Sequence, residues 1–184
     1  MIVQRRATLD DLARVHGKAE LIGGKVVEFM PTGRRPGRVA LEIAIRLRDY
    51  ARQIGRGEVH GDNVGYAVPE LSSGRESFSP DASYYDGPPQ ADDMKFIEGP
   101  PTFAVEVRSE GDYGPAADTD YAAKRADYFE AGTLAVWDVD PIARTVTRFS
   151  ATAPDQPVTF RVGDQAEAEP ALPGWRIPVA DLFA

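Results

Sequence analysis

The chain has no cysteine in its 184 residues and only two histidines and three methionines. Without thiols, a disulfide framework and a thiolate metal site are both excluded, and a reducing compartment is compatible. His16 and His60 are not at ligand spacing, so no imidazole-based zinc site is expected. No apolar run approaches the roughly 20 residues of a membrane helix. No phosphate-binding Gly-Lys-Ser/Thr loop occurs, and Ser72-Ser73-Gly74 does not form a nucleophile elbow. Arg5 and Arg6 are not followed by the apolar segment of a secretory leader, so a cytoplasmic protein without a membrane partner is expected.

A net charge of −8 argues against a general nucleic-acid coat, which would be basic. The charge is uneven, however. Residues 31–60 carry seven arginines, at 34, 35, 38, 46, 48, 52 and 56, against Glu42, Asp49 and Glu58. This allows a local basic face on an acidic body, although a solvated helix face explains the same pattern. With 42% hydrophobic and 27% charged residues the composition is globular. The length fits one domain over residues 1–184, enough to bury roughly 70% of the unfolded surface.

Thr8 predicts the start of a short helix, with Asp10 and Asp11 in its first turn. Residues 19–30 read as a hairpin about Gly23-Gly24, a pair that tolerates the positive φ of a tight turn. Val39, Ile43, Leu47 and Ala51 lie at four-residue steps and predict a helix over residues 36–54, ended by Gly55 and Gly57. Strands are expected at 59–68, 78–85, 102–107, 134–139, 145–150 and 158–162. A second helix is expected at 116–131, closed by Gly132. Residues 87–101, with four prolines and two glycines, predict an exposed loop, and the segment after Leu172 a closing tail. The pattern is α/β (α+β): a mixed sheet flanked by helices.

Two acids sit in apolar strands, Asp81 after Pro80 and Glu106 between Val105 and Val107. A carboxylate in such a setting is costly unless it is paired or binds a cation. Lys124 shares a helix face with Tyr121 and Tyr128, the packed side, which a surface lysine would avoid. A lysine that snorkels past the tyrosines is the plain alternative. Two carboxylates and a lysine suit Mg²⁺-assisted phosphoryl chemistry, with Mn²⁺ as the substitute ion. Mg²⁺ keeps several waters and needs only one or two carboxylates. A nearby lysine can stabilise developing charge or handle a proton.

Pro80-Asp81, Glu106-Val107-Arg108 and Lys124 resemble the core motif of the restriction-endonuclease-like superfamily. More narrowly, the chain resembles the Uma-two family of that superfamily. The resemblance spans nearly the whole chain: Glu20-Leu-Ile-Gly-Gly24, Pro80-Asp81, Ala104-Val-Glu-Val-Arg-Ser109, Lys124 with Tyr128, Ala131-Gly132, Trp137-Asp-Val-Asp-Pro141, and Leu172-Pro-Gly174 ahead of Leu182-Phe183. It implies that Asp81 and Glu106 are metal ligands and that Glu20 is an auxiliary acid near the metal; Glu20 as an edge-strand surface acid is the plain alternative. It also implies that the catalytic lysine has moved from the strand, where Arg108 stands, to the helix at Lys124. Arginine does not release its proton, so Arg108 supplies charge rather than a base. Arg108 and Arg38 are the expected substrate contacts. Pro36 stands where the family usually has a histidine, and Ser109-Glu-Gly-Asp112 where it has Ser-Pro-Ser-Asp. Both departures bear on substrate contacts more than on metal binding. Three functions follow as expectations: a Mg²⁺-dependent endonuclease acting on DNA; a nuclease-fold protein that binds nucleic acid or a protein partner without cutting; and an interaction module, such as a homodimer, with a vestigial site.

Overall fold

The structure, a computed structural model, describes residues 5–184, so the expectation of no leader falls in part on residues outside the described ones. Helix α1 (Leu9–Leu12) begins with a capping box. The Thr8 hydroxyl accepts from the Asp11 amide, and the Asp11 carboxylate accepts from the Thr8 amide. Strands β1 (Ala19–Ile22) and β2 (Lys25–Glu28) form the expected hairpin. Gly23 and Gly24 at its tip both have positive φ, 57° and 69°, as a two-residue turn matching the strand twist requires. Helix α2 (Arg34–Ile54) starts two residues before Pro36. Proline is tolerated there because amides in the first turn have no intrahelical acceptor.

The expected strand over 59–68 is interrupted and becomes β3 (Glu58–Gly61) and β4 (Tyr66–Ala67). The strand over 78–85 likewise divides into β5 (Ser77–Phe78) and β6 (Ala82–Tyr85). Pro80, which has no N–H to give a ladder, lies in the break and leaves Asp81 at the mouth of β6. The expected loop at 87–101 contains the short β7 (Ile97–Glu98). Then follow β8 (Phe103–Val107), α3 (Pro115–Ala131), β9 (Ala135–Asp140), β10 (Thr145–Ser150) and a longer β11 (Ala153–Arg161) than the sequence suggested. The closing tail holds β12 (Gln165–Glu167), β13 (Arg176–Pro178) and α4 (Val179–Leu182).

The main sheet has the order β11-β10-β9-β8-β6-β3. Only β8 and β9 are parallel, joined by the α3 crossover; the other pairs are antiparallel. One face packs Val39, Ile43 and Leu47 of α2 against Val105 and Trp137, with Leu172, Trp175 and Leu182 of the tail closing that side. The other face packs Tyr128 of α3 with Ala104, Val136 and Phe78. The Phe78 and Tyr128 rings stack at 4.1 Å between centroids. The result is the expected mixed sheet flanked by helices. Among the described residues no helix is long and apolar enough to cross a membrane.

Candidate active site

Alternation along β8 sends Phe103, Val105 and Val107 into the α2 core and turns Ala104 and Glu106 towards α3. Ala82 of β6 is opposite Val105, and Asp81, one residue before β6, donates its amide to the Val105 carbonyl at 3.0 Å. Asp138 of β9 is opposite Glu106 on the other side. Directly opposed residues share a sheet face. Glu106 and Asp138 therefore share a face, and Asp81, just outside β6 and near enough for its charge to act on Glu106, extends them into a row of acids.

Each acid meets its own cation. Lys18, just before β1, places Nζ 2.5 Å from Asp81 Oδ1 and 2.8 Å from Asp62 Oδ1. The Val107 amide donates to Asp81 Oδ2 at 2.7 Å. Lys124 of α3 places Nζ 2.9 Å from Glu106 Oε1 and 2.9 Å from Glu20 Oε1. The Tyr128 hydroxyl donates to Glu106 Oε1 at 2.6 Å. Tyr128 follows Lys124 by one helical turn, so α3 delivers both groups to the same carboxylate.

Glu20 is fully buried. Its Oε1 accepts from the Ser79 amide at 3.0 Å as well as from Lys124, and its Oε2 accepts from Arg75. Arg75 in turn donates through Nε to Asp127 at 2.8 Å. Burial would push the Glu20 carboxyl up, but Lys124 and Arg75 outweigh it and hold it below the ordinary range. Glu106 goes the other way: burial raises it, Lys124 opposes this, and the Asp81 charge adds to the rise. Burial lowers Lys124, yet Glu106 and Glu20 together lift it above the usual lysine value. Lys18 is raised on the same balance, by Asp81 and then Glu106.

The network thus brings together five acids (Glu20, Asp62, Asp81, Glu106, Asp127) and three cations (Lys18, Arg75, Lys124). Fully ionised, it carries two excess negative charges. Among the described residues, no hydrogen bond reaches Glu106 Oε2, and no group of three or more His, Asp or Glu side chains is arranged to hold a metal. Asp81 and Glu106 are the hard carboxylates that could hold a cation here, and two such donors are enough for an ion that retains water.

Four residues singled out in the sequence (Glu20, Asp81, Glu106, Lys124) come together here. Two do not join them. Arg108 is gripped by Asp138 through two parallel contacts of 2.8 Å, and by Asp118 at 2.7 Å, over the Tyr121 ring. Arg38 donates to the Ala184 carbonyl. Sequence reasoning missed Lys18, Asp62 and Arg75. Lys18 had one available signal: it lies two positions before Glu20, on the same side of an extended chain. Beside Asp81 and Asp62 a cavity of about 180 Å³ runs along α2, lined by Pro36, Gly37, Ala40 and Val107. Arg34 and Arg35 precede those helix positions, are exposed, and make no ion pair among the described residues.

Residues 7–180 match the model of the Uma2 family, described as "Putative restriction endonuclease". No curated protein matches significantly. Among solved structures, the chain is similar to one from Anabaena variabilis described as "a putative nuclease belonging to DUF820". The two are 19% identical and superpose with a TM-score of 0.71 over 96% of this chain and 97% of the other. That likeness gives the fold, the nuclease-type mixed sheet flanked by helices, and the family match covers both strand acids and the α3 lysine: the chain belongs to the Uma2 restriction-endonuclease-like family.

Proposed function

We propose that this chain is a divalent-metal-dependent endonuclease that hydrolyses DNA phosphodiester bonds at the Asp81–Glu106 pair. The observation that carries this reading is the Lys124 ammonium, 2.9 Å from a Glu106 carboxylate that feels the Asp81 charge and has one oxygen without a hydrogen bond among the described residues. Asp81 and Glu106 would hold Mg²⁺ or Mn²⁺. When bound, the ion supplies Lewis acidity towards a phosphoryl oxygen and activation of water.

The remaining steps belong to the chain's own groups. Lys124 is held in its charged form between two carboxylates, so it acts as a donor to the phosphate or a proton source for the departing oxygen. Glu20 has both oxygens engaged by Lys124, Ser79 and Arg75, which suits a positioning residue for the lysine better than a metal ligand. Arg34 and Arg35, exposed beside the groove that reaches Asp81, are better placed than Arg38 to meet the DNA backbone. The net charge of −8 favours the second reading, in which the fold binds a partner without cutting.

The test is cleavage of plasmid and single-stranded DNA with Mg²⁺ or Mn²⁺, with Asp81→Ala as control. Metal-dependent nicking by the wild type that Asp81→Ala abolishes supports the endonuclease. Metal-independent activity, or activity that survives in Asp81→Ala, removes Asp81 from the chemistry. Binding of DNA with no nicking in any metal favours the non-catalytic reading.

A further inference from the structure

Lys18 bridges two carboxylates of unequal depth. Its side chain is 19% exposed and lies between that of Asp81, 16% exposed, and that of Asp62, 44% exposed. Asp81 has little freedom to offer another oxygen, because Oδ2 already accepts from the Val107 amide. An ion bound to Oδ1 at about 2.1 Å would then lie within about 4.6 Å of the ammonium as it stands. A divalent ion and an ammonium at that distance repel strongly in a partly buried site. The lysine stem, however, is flexible and compact-headed, and Asp62 gives it an acceptor nearer the solvent.

We propose that Lys18 is a tethered internal cation: it neutralises Asp81 in the metal-free protein and withdraws towards Asp62 when a divalent ion binds. This rests on the two-carboxylate metal site proposed above. The site is then not left as bare opposed acids between metal-binding events, and the affinity for metal is set by the competition between Lys18 and the ion. Asp62 tunes that competition without touching the ion.

The experiment is calorimetric titration of the full chain with Mn²⁺, with circular dichroism to confirm folding, for the wild type, Lys18→Met, Asp62→Asn and the double variant. Lys18→Met is expected to bind Mn²⁺ at least roughly tenfold more tightly, which corresponds to about one 1.4 kcal/mol step. Asp62→Asn is expected to bind it more weakly, because the ammonium loses its alternative acceptor. In the Lys18→Met background the effect of Asp62→Asn should shrink to less than half. Independent field effects would add, whereas displacement couples the two positions. Unchanged or weaker binding by Lys18→Met, or full additivity in the double variant, overturns the proposal while leaving the metal site in place. If neither wild type nor Lys18→Met binds Mn²⁺ at millimolar concentration, the metal-site reading falls and this proposal with it. If Lys18→Met does not fold, Lys18→Gln takes its place alone and in the double variant, with the same outcomes for and against.

Discussion

Glu106 and Asp138 stand opposite each other on β8 and β9, face the same helix, and are each 8% exposed. Their surroundings differ. Asp138 receives two parallel contacts from Arg108 and a further guanidinium, that of Arg125, at 3.8 Å. Arg108 is itself closed off by Asp118 and the Tyr113 and Tyr121 rings. Two acids and two arginines leave that end of the row neutral and geometrically satisfied. Glu106 shares a single ammonium with Glu20, takes one hydroxyl, and keeps an oxygen without a hydrogen bond among the described residues. An acid within a strand does not by itself mark a site. The difference lies in whether its neighbours already saturate it, and that separates a structural ion pair from a carboxylate left with something to hold.

Substitutions at the two ends should therefore behave differently. The largest expected effect is at the α3 lysine. Lys124→Met should lower any DNA cleavage rate by a factor on the order of 10²–10⁴ without weakening Mn²⁺ binding, because the lysine is not a ligand. A rate close to wild type would make the lysine a structural partner of Glu20 and bring the two ends of the row closer in character. Next is Arg108→Ala, which leaves Asp138 almost buried with only a distant guanidinium. It should destabilise the fold by about 3 kcal/mol, a drop of roughly 10 °C in thermal midpoint for a domain of this size, read by calorimetry. If instead its stability were unaltered and DNA binding fell, Arg108 would be the phosphate contact that its sequence context suggested. The smallest change in stability is expected at Glu106. Removing its charge relieves burial and the repulsion from Asp81 while Lys124 keeps Glu20, so Glu106→Gln should leave the metal-free midpoint unchanged or raise it. The same variant should lose the metal-induced stabilisation, about 2.7 kcal/mol at a hundredfold excess over Kd. A large loss of metal-free stability in Glu106→Gln would place Glu106 with Asp138 as a structural acid.

The sequence made these residues visible to different degrees, for physical reasons. The hairpin at Gly23-Gly24, the α2 stripe and Glu106 in its apolar strand are local patterns that local backbone and burial rules read directly, whereas Asp81 lies just outside β6 rather than within a strand. Lys124 was legible because its helix face is defined within a few residues by Tyr121 and Tyr128. Arg75 was not: it lies in a Ser-Gly loop that reads as surface, yet it is buried because Glu20 and Asp127 reach it from distant segments. Arg108 stands beside Glu106 in the motif and looked like a phosphate contact. Asp138, Asp118 and the two tyrosine rings that hold it are not adjacent to it in sequence. The interrupted strands had a local cause that was underweighted, Pro80 in the ladder of the second. The small strands of the tail are too short to leave a period.

The hairpin β1–β2 is not part of the six-stranded sheet; it forms a separate two-stranded unit. It nevertheless carries Glu20 and sets Lys18 at its entrance, and the contacts it makes to the centre of the site join residues 55 positions apart in the Glu20–Arg75 pair and 63 positions apart in the Lys18–Asp81 pair. Such remote contacts close long loops and carry the chain-entropy cost of doing so. With β8, β9 and α3 in place Lys124 already meets Glu106, but without the hairpin it lacks Glu20 and Asp81 lacks Lys18. The carboxylate–lysine constellation is complete only when the hairpin is docked. On the endonuclease reading proposed above, docking of the first hairpin is therefore a condition for the chemistry.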